Sequence, residues 1–364
     1  MSEVAVSGAL VRPETETIRP YPPSFVDRIT DWVRHLPVPS WLFYVAVALA
    51  LLILTAAVKW LDGSYAFGTV TWQMILSAGT FPYALGMLHY LDNSAQEALS
   101  DFRPAMDVDD RQFAELKYRF TTLPARPTVI ATIIGSLYGV SFPLIASPEE
   151  LASAKLLSSL PAGILDVIEL ALGYGVGAIF IYHSIRQLRM VSRTYTTHAR
   201  VDLFNLRPIH ALSRLAARTA IGLAIPSYAW GFINVSRDSG AIDPGATSIF
   251  ELVTFSTLIV IMFVWPLVGA RRLLRRAKAE AITEVQQQFK ATVSELHRRR
   301  EAGEFEGMGG INEALDGLMK EQAVLSKIST WPWQSDTFRA VASAILLPIV
   351  VWAITRLLEH VWIF

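Results

Sequence analysis

Seven runs of about 20 mostly apolar residues divide this chain, and a run of that length wound as a helix matches the ~30 Å hydrocarbon core of a bilayer. They are Trp41–Trp60, Val70–Tyr90, Thr128–Ala146, Pro161–His183, Leu215–Ile233, Ser248–Ala270 and Ala340–His360. Lipid offers no hydrogen-bond partner to a backbone amide, so spans of this kind must satisfy their amides internally, as helices do. The expected fold is therefore all-α, a polytopic membrane bundle of seven transmembrane helices with a cytoplasmic helical hairpin. The second run is the least apolar, diluted by Thr71, Gln73, Thr80 and Pro82.

The basic residues set the expected orientation. Of the 32 lysines and arginines, 28 fall before the first run, between runs two and three, between four and five or at the mouth of the fifth, and between six and seven. Only Lys59, Lys155, Arg237 and Arg356 fall on the other side. Basic segments are retained in the cytoplasm, so this asymmetry predicts the N-terminus inside and the C-terminus outside. Tryptophan agrees. Trp41, Trp60, Trp72, Trp230, Trp265 and Trp362 flank the spans, as do Trp331 and Trp333 ahead of the last, where an indole keeps its ring buried and its N–H wet.

The formal charge of zero conceals that asymmetry. Topology and anionic lipid headgroups account for the basic residues, so nucleic acid is not an expected partner. The chain has no cysteine, which excludes disulfides, thiolate nucleophiles and iron–sulfur ligation. No secretory signal peptide is visible, and the first span is expected to serve as an uncleaved anchor. The expected location is a membrane, the cytoplasmic one in a prokaryote.

Residues 1–23 are polar and contain Pro13, Pro20, Pro22 and Pro23, the composition of a disordered tail. Residues 24–40 carry an amphipathic helix, with Phe25, Ile29, Trp32, Val33 and Leu36 at helical spacing, suited to the interface plane. Residues 41–270 hold six spans, with cytoplasmic segments at 91–127 and 184–214. Residues 271–339 read as a helical hairpin. Neither proline nor glycine occurs from Arg271 to Arg300, Ile282, Val285, Phe289, Val293 and Leu296 form a stripe, and Gly303, Gly307, Gly309 and Gly310 break it. Ile311, Leu315, Leu318, Met319, Leu325 and Ile328 mark the return helix, and residues 340–364 hold the seventh span. The hairpin either packs on itself or seals an oligomer below the membrane.

Charge inside a span is the default pointer to function. Asp166 and Glu169 are three apart on the fourth span and share a face. Glu251 lies near the start of the sixth. Counted from the outer ends, Asp166 sits ~7 Å, Glu169 ~12 Å and Glu251 ~5 Å deep. With Gln73 and Asn234 at that level, these carboxylates compose either a cation or proton site or a set of structural pairs with Lys59, Arg237 and Arg356. Gly173-Tyr174-Gly175 shares letters with a potassium-channel filter, but it lacks the preceding Thr-Val and pore helix. Gly173 and Gly177 read instead as a small-residue packing face, and Gly135 and Gly139 on the third span have the same spacing. Pro82, Pro143, Pro226, Pro266 and Pro348 each remove a helical hydrogen bond and favour bends.

Enzyme signatures are lacking. There is no His-Glu-x-x-His, no rhomboid-type Gly-x-Ser-Gly, no second intramembrane aspartate, no mid-helix lysine in the seventh span for retinal, and no phosphate-binding loop. His89, His183, His198 and His210 show no i, i+4 pair suited to a helical metal site. No catalytic residue, metal or cofactor is expected. The sequence leaves two functions open: a channel- or transporter-like protein moving a small ion as a homo-oligomer, and a non-catalytic membrane scaffold or accessory subunit recruiting a cytoplasmic partner through its hairpin.

Overall fold

The computed structural model describes residues 19–145, 156–237 and 246–361, which are all-α. Two isolated bridges, Pro23 to Pro124 and Met106 to Ala199, are the only extended pairings among them. The helices in chain order are α1 (Phe25–Arg34), α2 (Ser40–Leu61), α3 (Trp72–Phe102), α4 (Asp110–Thr121), α5 (Ala125–Ile145), α6 (Leu160–Thr197), α7 (Ile209–Arg237), α8 (Ala246–Val264), α9 (Val268–Ala302), α10 (Met308–Lys327) and α11 (Ser335–Val361).

Among the described residues four stretches are long and apolar enough to cross a membrane: α2, α5, α6 and the rod Val253–Ala302, which runs from within α8 to the end of α9. Their surfaces show what solvent they suit. Ile53 on α2 and Ile134 and Leu137 on α5 are each more than 60% exposed, a pattern that water penalises and hydrocarbon does not.

Local chemistry sets the helix ends. Ser24 caps α1 by accepting from the Asp27 amide, and the Asp27 carboxylate accepts from the Ser24 amide at 2.7 Å. The same carboxylate accepts from the Leu123 amide, so the cap also ties α1 to the link between α4 and α5. Val26, Thr30 and Val33 face the protein, while Phe25, Ile29 and Trp32 stay exposed on the opposite side. Asp109 and Gln112 build a second capping box on α4, and Ser159 caps α6 with Pro161 in its first turn. Pro266 sits in a single 3-10 turn, Trp265–Leu267, through which α8 passes into α9. At the far end of α9, Gly303 takes the left-handed conformation (φ 71°), which an L side chain adopts only with strain.

Two helices run far past the expected spans. α3 has 31 residues and α6 has 38, about 46 and 57 Å at 1.5 Å per residue. The segments 91–127 and 184–214 thus begin as continuations of these helices, as far as Phe102 and Thr197. Their ends pack with α7 into the best-buried part of the molecule, a core containing Leu99, Phe102, Phe120, Leu188, Val191, Tyr195, Leu212 and Leu215. A second cluster, with Val26, Val33, Tyr44, Leu85, Leu88, Ile179 and Phe180, joins α1, α2, α3 and α6. α5 packs chiefly on α6. α9 and α10 pair as a hairpin through Val285 and Leu325, and Lys278 donates to the carbonyls of Ser326 (2.6 Å) and Ile328 (2.8 Å).

Candidate functional site

On α2, Thr55 and Lys59 are one turn apart and turn inward, although most of that helix is exposed. They meet Asp166 and Glu169 on α6. Lys59 Nζ lies 2.8 Å from Asp166 Oδ1, and both side chains are almost wholly buried. Asp166 Oδ2 accepts from the Leu157 amide at 2.9 Å. The Thr55 hydroxyl donates to Glu169 Oε1. Gln73 and Ser77 from α3 complete the surroundings of a cavity of about 10 Å³, room for about one water molecule.

The loop before α6 covers this group. Leu156 lines the cavity, and Leu157 sits in the left-handed region (φ 57°), a conformation that strains a residue with a side chain. Outside it, the hydroxyls of Ser158 and Ser159 donate to Asp62 Oδ2, joining the end of α2 to the start of α6. Burial opposes ionisation of Asp62, but the hydrogen bonds from Ser64, Ser159 and Ser158 prevail and hold its carboxyl down to about 2.

The structure therefore brings Asp166 and Glu169 together and picks Lys59 from the three outer cations as the partner of Asp166. The side chains of Glu251, Asn234, Arg237 and Arg356 lie outside the described residues. Two carboxylates face one lysine here, so full ionisation leaves one negative charge in excess.

The glycine face differs from the expected one. A Cβ on Gly135 would lie 2.3 Å from the Tyr174 carbonyl oxygen, and one on Gly139 would lie 2.4 Å from that of Leu170. Both positions thus require glycine for α5 to approach α6. On α6, however, the contact falls on Gly175, whose Cβ would meet Ser136 Oγ at 2.5 Å. Gly173 looks toward Thr80 on α3 with ordinary clearance, and Gly177 has open space. The packing face expected at Gly173 and Gly177 is therefore corrected: the face of α6 turned to α5 runs through Gly175 and Ala178.

A second buried polar group escaped the sequence reading. His183 Nε2 lies 3.5 Å from Asp92 Oδ1, and the Tyr44 hydroxyl lies 3.2 Å from His89 Nδ1. Its histidines, His89 and His183, stand at the ends of the second and fourth spans, but nothing in their spacing points to Asp92 or Tyr44 as their neighbours. Among the described residues no group of three or more His, Asp or Glu is arranged to hold a metal ion.

Comparison of the chain with family models, curated proteins and solved structures finds no match.

Proposed function

We propose that the chain is a multi-pass membrane protein, crossing seven times with its N-terminus inside and its C-terminus outside, that moves protons as a channel- or transporter-like homo-oligomer. The observation that carries this reading is the surplus carboxylate. Lys59 pairs with Asp166 and also acts on Glu169, so the two carboxylates exceed their one lysine by a negative charge; Glu169 accepts from the Thr55 hydroxyl beside a cavity of water size. Glu169 is half-buried, and the excess negative charge that it shares with Asp166 is disfavoured there, so taking up a proton relieves it. A proton fits the available space, and a water molecule taken into the cavity would let it enter and leave. The basic residues confined to alternate connections support the threading.

The test is proton flux into liposomes containing the purified protein and a trapped pH-sensitive dye, driven by an imposed membrane potential. Glu169→Gln should abolish the flux, and Asp166→Asn should reduce it severely. Wild-type flux in Glu169→Gln would remove this group from the mechanism.

One observation favours a scaffold role beside it. Phe305 and, on α10, Met319 and Val324 are more than half exposed on the α9–α10 hairpin. Deleting 282–328 should then abolish capture of a cytoplasmic partner while leaving flux intact; capture by the truncated protein would sink that role.

A further inference from the structure

The inner end of α6 holds buried polar atoms that nothing among the described residues satisfies. Asp92 Oδ1, both ring nitrogens of His183, Ser184 Oγ, Gln187 Oε1 and Arg186 Nη1 are all sequestered without a hydrogen-bond partner. His183 is 1% exposed and Asp92 6%. Native proteins leave few such atoms, and a concentration of them on one helix turn marks a place where a small polar species is handled. We infer that Asp92 and His183 form a second proton-binding site, at the opposite end of α6 from Glu169.

The geometry suits that task. A carboxylate oxygen and an imidazole nitrogen 3.5 Å apart need only a slight approach to share one proton, carried on Nε2 or on Oδ1. The step is proton uptake alone: water gives a proton to the pair, and no other bond changes. The charges that face the pair are few. α1 contributes Asp27 and Arg34, and α6 contributes Arg186, which the Tyr21 phenol contacts from the segment before α1. His89 on α3 faces the Tyr44 hydroxyl from α2. Arg186 donates to the Tyr21 hydroxyl, which in turn donates to the Thr122 carbonyl at 2.8 Å, so the N-terminal segment is tied to the turn of α6 that follows His183. Burial pushes the Tyr21 phenol up to about 12, against the pull of Arg186, so it stays protonated while the pair titrates.

His183 follows Glu169 by 14 residues, about 21 Å along the helix axis. With Glu169 about 12 Å below the outer end of its span, His183 then stands near the inner boundary of the bilayer and Glu169 closer to its middle. That this inner site exchanges protons with the outer one rests on the transport reading above; that it binds a proton does not.

The test reads the site directly. Wild-type protein labelled with ¹⁵N-histidine is placed in nanodiscs, and the ring signals of its seven histidines are followed from about pH 4 to 9. His183 is assigned by the signal lost in His183→Gln. Its ring should pass through a single protonation, and Asp92→Asn should move the midpoint down by about one pH unit or more, because the neighbouring anion is gone. Should Asp92→Asn fail to fold, Arg186→Gln gives the opposite displacement, upward, by removing a cation. A His183 ring unchanged over the whole range, or a midpoint indifferent to both substitutions, overturns the inference. No flux is read, so this outcome is separate from the fate of Glu169 in liposomes.

Discussion

Near its N-terminus α6 surrounds Asp166 with partners; about five turns further on it faces Asp92 with almost none. Asp166 has Lys59 at 2.8 Å and the Leu157 amide at 2.9 Å. Asp92 has a histidine at 3.5 Å and one oxygen without any hydrogen bond among the described residues. The same side chain thus plays two parts in one bundle. Where the carboxylate is charge-matched it fastens helices, and where it is left short it has room to change its protonation. Glu169, three residues from Asp166, stands between these extremes.

Breaking the matched end should have the largest consequence. Lys59→Met leaves Asp166 buried without its cation and should destabilise the protein by about 3–5 kcal/mol, seen as a lower melting temperature in detergent. The double variant Lys59→Met/Asp166→Leu should recover most of that loss, since two apolar residues need no mutual neutralisation. Failure to recover would mean that the pair is not the fastening. Next comes the seam that holds the two ends in register. Gly139→Leu drives a side chain into the backbone of Leu170 and should cost about 1–3 kcal/mol or more, whereas Gly177→Ala should change stability little. Asp92→Asn removes no well-made hydrogen bond and should shift stability by about 1 kcal/mol or less. A loss as large as that of Lys59→Met would erase the contrast between the two ends.

The smallest effect is expected at the outer loop. Asp62 is held below its ordinary value of 3.8, at about 2, so its contribution is present above about pH 4 and is lost as the pH falls toward 2. Amide exchange at Ser64 and around Ser158 should therefore quicken over that window, and Asp62→Asn should remove the pH dependence. Exchange that quickens equally in the variant would assign the change to another group.

Much of the fold is legible because lipid imposes a coarse rule. The apolar runs at Trp41–Trp60, Thr128–Ala146 and Pro161–His183 correspond to α2, α5 and α6, and the glycines from Gly303 mark the break between α9 and α10. α3 fails the same criterion because Gln73, Pro82 and His89 dilute it, although its helix is long. The continuation of α3 and α6 beyond their spans was hidden by the change of solvent: past Tyr90 and His183 the pattern turns amphipathic, and apolar content stops reporting helix length. The sites were half visible. Asp166 and Glu169 share a helix face, so spacing alone pairs them. Lys59 is 107 residues away from Asp166, and Asp92 is 91 away from His183. Those meetings depend on which helices are neighbours and at what height, and no local pattern records that. Gly175 was passed over for the same reason, because a three-glycine stretch does not say which way the helix is turned.

Pro266 has a consequence of leverage. The single 3-10 turn at Trp265–Leu267 joins a membrane-suited rod to a 35-residue arm about 52 Å long, which Lys278 and the contact of Arg271 with the face of Trp331 tether near its base. A tilt of about 5° at that fulcrum sweeps the tip near Gly303 through about 4–5 Å. Small rotations among the spans would therefore be magnified at the distal end of the hairpin.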